Sequence, residues 1–131
     1  MKLASYAQAY RRNFVGTASR GQLILMLLDG ALRFMNRALE GFEEGEPIRR
    51  IEAVHSNLMK TQAIIDELQA SIDPKPDADF ARRMSSLYNY MRGQLRQSNI
   101  RKDAAPVRIV VELIGGIRSA WAEMLAQGQH Q

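Results

Sequence analysis

Glu52 and His55 are the residues whose types and spacing come nearest to supporting chemistry. Three positions separate them, so a helix places both on one face, and di-iron helical bundles use a carboxylate and an imidazole with this spacing on two facing helices. Here the pair occurs once. The other histidine, His130, lies in the polar tail at residues 127–131, which we expect to be frayed. The sequence therefore predicts no metal site, and His55 is interpreted as a residue of a helix face.

The sequence contains no stronger candidates for other kinds of catalysis. The chain has no cysteine, which excludes thiolate ligands and cysteine nucleophiles. Gly115 and Gly116 fall inside a helical pattern, without the lysine or the preceding strand of a phosphate-binding loop. The aspartates at positions 66–79 surround a predicted turn, where capping and turn formation explain them. We therefore predict no catalytic residue, no cofactor and no enzymatic activity.

Positive charge is the main argument for a different function. Lysine and arginine number 18 against 14 aspartates and glutamates, which gives a formal net charge of +4. A small basic helical protein that binds nucleic acid or acts as a regulator is therefore the alternative function. The arginines are spread over every predicted helix and are interleaved with acidic residues, whereas nucleic-acid-binding proteins concentrate them on one face. Solvated helix faces explain them more simply, and we expect no nucleic acid among the partners.

Length and composition predict a single domain that covers residues 1–131. A chain of this size can bury one sizeable core, and 46% hydrophobic with 24% charged residues is typical of globular proteins. No apolar run approaches the roughly 20 residues of a membrane span. The amino terminus also lacks the apolar stretch of a secretory signal. We therefore expect a cytoplasmic protein without stable membrane insertion.

Three breaks divide the chain into helices. Proline stands with glycine, aspartate or glutamate at Pro47, Pro74 and Pro106, and long stretches of helical periodicity lie between these points. Ser19 and Gln22 fit a capping box at the start of the first helix, and Pro47 suits the first turn of the second. The predicted helices run from about Arg20 to Glu44, Pro47 to Ile72, Ala78 to Ser98 and Ala104 to Ala126.

Short connections between long helices favour antiparallel neighbours. The predicted fold class is therefore all-α, an antiparallel four-helix bundle preceded by a short, mobile amino-terminal segment, residues 1–16, that could become helical. Apolar residues at steps of three, four and seven predict one buried stripe on each of the two middle helices. These stripes contain Ile51, Val54, Leu58, Ile65, Leu68 and Ile72 in the second helix, and Phe80, Met84, Leu87, Met91 and Leu95 in the third.

The first and fourth helices are more apolar than a bundle requires. Residues 23–28 are six consecutive apolar residues, which cover the whole circumference of a helix, and residues 107–114 are nearly as apolar. An isolated small bundle would leave part of this surface uncovered, which indicates a partner. The alternative interpretation is that the first helix is central and that the amino-terminal segment covers it. Periodicity alone favours neither.

Motifs along the whole chain occur in a particular order. The first part contains Tyr6-Ala-Gln-Ala-Tyr10, then Thr17-Ala-Ser19, then a run from Leu23 that ends in Asp29-Gly-Ala31. The second part contains Leu87-Tyr88-Asn-Tyr90-Met91, then Ser98-Asn99 with Asp103, then Ile117-Arg-Ser-Ala-Trp121. Each motif is unspecific by itself, but their order and separation resemble the FliS family of flagellar export chaperones over nearly the whole chain.

Four residues depart from the pattern of that family. Arg20 stands where a helix-opening proline is usual, and Leu28 stands where a tyrosine often precedes Asp-Gly-Ala. Asn89 replaces a common aspartate, and Ser98 replaces the alanine that usually precedes the asparagine. Capping at Ser19 must therefore work without proline, and a family contact through a phenol at position 28 is not available here.

The resemblance implies a chaperone that binds the disordered C-terminal segment of flagellin in the cytoplasm, prevents premature polymerisation and delivers flagellin to the type III flagellar export apparatus. An export-gate component is a further expected partner, and the free protein is expected to be a monomer or a weak homodimer. A segment that folds only in the filament exposes apolar anchors, which grooves on a chaperone can bury. The expected groove residues are Ile24, Leu27 and Leu28, with Tyr88 and Tyr90 as aromatic contacts or groove walls.

Tyr6 and Tyr10 lie four residues apart, so they share one face if their segment is helical. We hypothesise that they cover the groove when flagellin is absent and move away when it binds. These tyrosines, Tyr88 and Tyr90 also have a simpler interpretation, in which a phenol lies where an apolar surface meets water.

Overall fold

Four helices and no strand make up residues 19–128, the part of the chain that the computed structural model describes. The expected mobile segment at residues 1–16 lies outside this part, and so do residues 129–131 of the expected frayed tail. The predicted all-α class is confirmed. The helices are α1 (Arg20–Phe42), α2 (Pro47–Ala70), α3 (Ala78–Arg101) and α4 (Ala105–Gly128).

Local side-chain chemistry begins the first three helices. The Ser19 hydroxyl accepts a hydrogen bond from the backbone N–H of Gln22 at 3.1 Å, and the Gln22 side chain accepts one from the N–H of Ser19 at 3.0 Å. This is the predicted capping box. Glu46 caps α2 and leaves Pro47 in its first turn, where the missing N–H breaks no helical hydrogen bond. Asp77 caps α3 in the same way.

The helix ends differ from the prediction by two or three residues. α3 continues past Ser98 to Arg101 and stops there, because the next residue, Lys102, has a left-handed backbone with a φ of 52°. α1 and α2 each end two residues earlier than predicted, and α4 runs two residues further. Helix starts are marked by capping side chains, whereas ends depend more on neighbouring structure, so the starts are predicted better.

Glycine brings α1 and α2 close together along antiparallel axes. A Cβ atom on Gly30 would lie 3.2 Å from the Ile64 side chain, and one on Gly41 would lie 3.0 Å from the Ala53 side chain. The later residue of α1 thus meets the earlier residue of α2, which shows that the helices run in opposite directions. Two glycines on the contact face of α1 let the two backbones approach.

α3 and α4 complete the bundle. The Gln69 side chain of α2 donates a 2.8 Å hydrogen bond to the Ser85 hydroxyl of α3. The Ser98 hydroxyl, near the other end of α3, accepts one from the backbone N–H of Val107 in α4 at 3.0 Å. The indole N–H of Trp121 in α4 donates to a backbone carbonyl in the first turn of α1 at 2.8 Å. Each helix therefore contacts two neighbours, and α1 lies diagonally across the bundle from α3. The predicted antiparallel bundle is confirmed.

One continuous core runs through the bundle, and each large aliphatic side chain buried in it contributes roughly 1.5–3 kcal/mol. Half-buried residues such as Ile72, Met84 and Trp121 pack against this core from its edges. The core residues are Leu28, Ala31, Met35 and Ala38 of α1, Val54, Leu58, Ile64, Ile65 and Leu68 of α2, Tyr88, Met91 and Leu95 of α3, and Val107, Val110 and Ile114 of α4.

Two residues of the predicted buried stripes are exposed. Ile51 and Phe80 both present large parts of their side chains to solvent, so their predicted burial is wrong. Each lies at the edge of its stripe and within the first or second turn of its helix, where fewer neighbouring side chains cover it. Helical spacing recognises the stripe but does not show where the cover from other helices ends.

Candidate partner-binding surface

The groove residues predicted on α1 lie in or against the core. Leu28 has no exposed surface and packs among the core side chains. Ile24 and Leu27 are half-buried and pack against the same core near the start of α1. Leu28 therefore offers no surface to a partner in this conformation, whereas Ile24 and Leu27 offer part of theirs.

Tyr88 and Tyr90 point to different sides of α3, because two residues turn a helix by about 200°. Tyr88 is only 4% exposed. Burial raises the pKa of its phenol above the ordinary value, because the charged form would lose its hydration. Tyr90 is 48% exposed. Of the two predicted aromatic contacts, Tyr90 is the one that can meet a partner without rearrangement.

The seven predicted residues do not form one cluster. Tyr6 and Tyr10 lie outside the described residues. Ile24 and Leu27 belong to α1, whereas Tyr90 belongs to α3 on the opposite side of the bundle. A partner that contacts both helices has to pass around the bundle, since no single groove joins them.

Exposed apolar surface surrounds Tyr90 on the side of α3 that faces α4. The hydrogen bond between Ser98 and Val107 sets the register of these two antiparallel helices. Counting from this bond, back along α3 and forward along α4, places Tyr90 at the same height as Gly115. We call this surface the α3–α4 groove and define it by the exposed residues Phe80, Tyr90, Ile109 and Met124 with the half-buried residues Leu87 and Leu113.

The α3–α4 groove is long, and a glycine without a side chain lies near its middle. Phe80 and Met124 lie at one end and Ile109 lies at the other, about 15 residues or roughly 22 Å of helix away. Gly116 of α4 lies at nearly the same height as Tyr90, and a Cβ atom added there would meet nothing within 4 Å. The space beside Tyr90 is therefore open to a partner side chain.

Apolar burial is the chemistry that this groove can offer. Its length matches about four turns of an amphipathic helix, which presents apolar side chains along one face. Arg83 of α3 and Glu112 and Glu123 of α4 are exposed beside the groove. A helical segment with an apolar stripe and mixed charges on its flanks fits such a surface.

Sequence reasoning missed Phe80, Ile109 and Met124 as members of one surface. Phe80 has the spacing of a buried residue, and Ile109 belongs to the surplus of apolar residues in the fourth helix. That surplus was the available signal. It does not show which side of an apolar helix stays uncovered, because the cover comes from residues far away in the sequence.

A second apolar patch lies between α2 and α3, near the end where α3 finishes. The Lys102 ammonium donates a 2.6 Å hydrogen bond to the Asn99 side-chain oxygen, and the Asn99 amide nitrogen lies 2.9 Å from Nδ1 of His55. Since its oxygen accepts from Lys102, Asn99 donates to His55 through its N–H. We call this surface the α2–α3 patch and define it by the exposed residues Ile48, Ile51, Met59 and Ile100.

Residues 19–128 contain no candidate metal site. This part of the chain contains no group of three or more histidine, aspartate and glutamate side chains that could hold a metal ion. Glu52 and His55 are both exposed, and the imidazole contacts an amide. Within the same residues, no helix is both long enough and apolar enough to cross a membrane.

Motif residues from distant parts of the chain meet where α1 approaches α4 and α2. Arg118 donates a 2.8 Å hydrogen bond to the carboxylate of Asp29. Both side chains are partly exposed, so this ion pair contributes at most about 1 kcal/mol. Arg20 donates a 2.8 Å hydrogen bond to the carbonyl of Ser71 at the end of α2. Arg20 therefore joins the start of α1 to the end of α2.

The chain is similar to known proteins along nearly its whole length. A family model described as "Flagellar protein FliS" matches residues 2–128. The flagellar secretion chaperone FliS of Salmonella typhimurium is 35% identical over 130 residues, which cover 98% of this chain and 93% of that protein. The protein of the same name from Bacillus subtilis is 33% identical over 117 residues, 89% of this chain and 84% of its own. The Escherichia coli protein is 30% identical over 125 residues, 92% and 87% of the two chains.

Proposed function

The chain belongs to the FliS family of flagellar proteins, and from this membership we propose that it is a secretion chaperone whose client is the C-terminal segment of flagellin. It binds this segment in the cytoplasm, prevents premature polymerisation and delivers flagellin to the type III flagellar export apparatus. It performs no catalysis. The relatives that resemble it are named as chaperones, which supports this role.

The α3–α4 groove is the observation that carries the proposal. Phe80, Tyr90 and Ile109 leave apolar surface in water along one side of the bundle, at a cost of about 25 cal/mol for each Å². A client segment that is unfolded before assembly presents apolar side chains that also need cover. Laying these side chains in the groove removes both surfaces from water, and this gain offsets the ordering of the segment.

The predicted site residues take different parts in this proposal. Tyr90 lines the α3–α4 groove, while Tyr88 supports α3 from within the core. Ile24 and Leu27 receive a further part of the client, which passes around α4 to reach them, and Leu28 holds α1 in place beneath them. Such wrapping uses more of the apolar surface than one groove could.

Tyr6 and Tyr10 are proposed to cover the client-binding surface when flagellin is absent. Removal of residues 1–12 should then tighten flagellin binding, because the cover no longer competes with the client. A truncated chain with unchanged affinity would reject this role for the two tyrosines.

Stoichiometry and further partners complete the proposal. One chain binds one flagellin segment, and the free protein is a monomer or a weak homodimer. The loaded complex is then handed to a component of the export gate. Light scattering of the mixture with flagellin tests the first point, since any other ratio contradicts wrapping of one segment around one bundle.

Calorimetric titration with a flagellin peptide tests the function. The peptide covers about the last 50 residues of flagellin from the same organism, and the titration is run at low and high salt and at several temperatures. We expect tight binding with a negative heat-capacity change, and most of the affinity should remain at high salt because apolar burial is not screened. No binding at either salt would overturn the chaperone role.

A matched pair of variants tests the site. Ile109→Glu places a charge in the α3–α4 groove, and Ile48→Glu places the same charge on the exposed α2–α3 patch. We expect Ile109→Glu to weaken flagellin binding by about tenfold or more, and Ile48→Glu by less than about threefold. Equal losses of affinity in the two variants would reject the α3–α4 groove as the binding site, but they would not contradict flagellin as the client.

The alternative function, a small basic protein that binds nucleic acid, is tested in parallel with an oligonucleotide. Binding of that kind falls steeply with salt, because it releases counterions. Oligonucleotide binding tighter than flagellin binding, with a steep loss at high salt, would favour the alternative.

A further inference from the structure

Three positive charges surround one aromatic ring on the outer face of α1 and α2. The guanidinium carbons of Arg33 and Arg37 lie 5.6 and 5.7 Å from the centre of the Phe34 ring, and the ammonium of Lys60 lies 5.4 Å from it. Each distance is within the roughly 6 Å range of a cation–π contact. We call these four residues the Phe34 cluster.

The ring at the centre of the Phe34 cluster is held in place. Phe34 is half-buried and packs against the core, while the three cationic residues are exposed. The close approach of α1 and α2 at Gly30 brings Lys60 of α2 to a ring on α1. The three charges therefore converge on a supported platform and are contributed by two helices.

The Phe34 cluster concentrates positive charge without balancing it. Arg33 and Arg37 are four residues apart on one helix, a spacing at which like charges destabilise the helix. Among residues 19–128, the ion pairs join Arg82, Arg92 and Arg118 to aspartates, and none involves a residue of the Phe34 cluster. An anion bound here would relieve this repulsion.

We propose that the Phe34 cluster is a docking site for an acidic segment of a second protein partner. Guanidinium groups bind carboxylates through two parallel hydrogen bonds, so Arg33 and Arg37 can each hold one carboxylate while Lys60 attracts a third. Glu40 follows Arg37 by three residues on α1, and Glu67 follows Lys60 by seven on α2. Acidic side chains therefore limit the basic surface at both ends to a length suited to two or three carboxylates.

Charge complementarity favours a short acidic peptide over nucleic acid. A nucleic-acid site extends over many phosphates, and a typical site neutralises about 6–10 of them. The Phe34 cluster spans little more than one helical turn, from Arg33 to Arg37, before an acidic residue interrupts it. Its position also separates it from the α3–α4 groove, since the pair α1 and α2 forms the side of the bundle opposite α3 and α4. The inference does not depend on the proposed function.

Fluorescence anisotropy with an acidic peptide tests this proposal. The probe is a fluorescein-labelled oligoglutamate of about eight residues, titrated with the full chain at low salt, where surface charges are least screened. The test variant combines Arg33→Gln, Arg37→Gln and Lys60→Gln. The control combines Arg49→Gln, Arg96→Gln and Arg108→Gln, which removes the same charge from exposed positions elsewhere.

We expect the test variant to bind the peptide about tenfold or more weakly, and the control variant less than about threefold more weakly. Equal loss of affinity in both variants would show that peptide binding depends on net charge alone, which would reject the Phe34 cluster as a specific site. Absence of binding by the original chain would also reject it. A single-stranded oligonucleotide of the same charge is titrated alongside. If it binds more tightly than the peptide and loses affinity in the test variant only, the site takes nucleic acid and the proposal is overturned.

Two further measurements separate the site from the fold. All six substituted side chains are exposed, so both triple variants should unfold within a few degrees of the original chain. Arg33→Lys combined with Arg37→Lys keeps the charge but removes the planar guanidinium forks. We expect a loss of affinity between those of the control and test variants, and full retention would reject paired hydrogen bonding to carboxylates.

Discussion

Residues that are adjacent on one helix have different roles in this bundle. Leu28 is fully buried, whereas Leu27 keeps part of its surface, because one step along a helix turns the side chain by about 100°. Tyr88 and Tyr90 are separated in the same way, one in the core and one in the α3–α4 groove. Substitutions at these positions can therefore separate stability from binding.

Leu28→Ala should lower the stability of the fold much more than Tyr90→Ala. Leu28→Ala leaves a cavity in the core and should lower the free energy of unfolding by about 2–5 kcal/mol. Tyr90→Ala removes an exposed ring and should change it by less than about 0.5 kcal/mol. Denaturant unfolding followed by the fluorescence of Trp121, the single tryptophan, measures both. Equal destabilisation by the two changes would contradict the surface position of Tyr90.

Alkaline pH should reveal the buried phenol of Tyr88. Its pKa is raised in the folded state by burial, so folding favours the neutral ring. The resulting stability is complete below the unfolded pKa of about 10 and is lost as the pH rises through that value towards the folded pKa. Tyr88→Phe cannot ionise, so its unfolding free energy should fall less than that of the original chain above about pH 10. Parallel pH curves for the two proteins would contradict this.

At the scale of helices, glycines have two distinct roles. Gly30 and Gly41 lie where α1 meets α2, and a Cβ atom at either position would press on the neighbouring helix. Gly115 and Gly116 lie within α4, and a Cβ atom there would meet nothing within 4 Å. The first pair permits close packing, and the second pair leaves room on the outside of α4.

Alanine substitutions at Gly41 and Gly116 should change stability in opposite directions. Gly116→Ala should raise the free energy of unfolding by about 1 kcal/mol, because alanine favours a helix interior and has space there. Gly41→Ala should lower it by about 1–3 kcal/mol, since the new methyl group would lie 3.0 Å from Ala53 and 3.3 Å from the backbone nitrogen of Val54. Chemical denaturation of both variants tests the pair, and changes of the same sign would contradict these two roles.

Three side chains secure the start of α1. Ser19 and Gln22 form the capping box, and Arg20 reaches the carbonyl of Ser71 at the end of α2. The arginine thus places a positive charge at a helix carboxyl end, where the helix dipole favours it. Arg20 therefore adds a contact between two helices to the cap at the start of α1.

For the whole molecule, the order of the helices around the bundle determines which surfaces can act together. The α3–α4 groove and the Phe34 cluster lie on opposite sides of the bundle, so occupation of one leaves the other accessible. One of these surfaces is apolar and the other is basic. Their salt dependence should therefore differ, with the basic site losing affinity as ionic strength rises.

Flagellin binding should stabilise the whole bundle. If the chain binds flagellin as proposed, a flagellin peptide at 100 times its dissociation constant adds about 2.7 kcal/mol to the free energy of unfolding, because it binds the folded state only. For a chain of 131 residues, this corresponds to a rise of about 10 °C in the unfolding temperature. Ile109→Glu at the same peptide concentration should show about half of this rise or less. An equal rise in the variant would contradict the role of the α3–α4 groove.

Much of the helical architecture follows from local chemistry in the sequence. Ser19, Pro47 and Asp77 mark helix starts because their side chains or rings act within one turn, and the structure begins its helices at these points. Helix ends and edges were predicted less well. α3 stops at Arg101 because Lys102 has a left-handed backbone. No glycine or asparagine at that position predicts this conformation from the sequence.

The sequence by itself determined the all-α class, the four helices and the family, because periodicity, capping and motif order are local or linear properties of the chain. Only the tertiary structure decided that Leu28 and Tyr88 are buried, that Tyr90 and Ile109 stay exposed, and that Lys60 meets Phe34. The physical reason is that burial and convergence of charge depend on which helices are neighbours. Packing between residues far apart in the sequence determines which helices are neighbours. The spacing of apolar residues along a single helix does not show this.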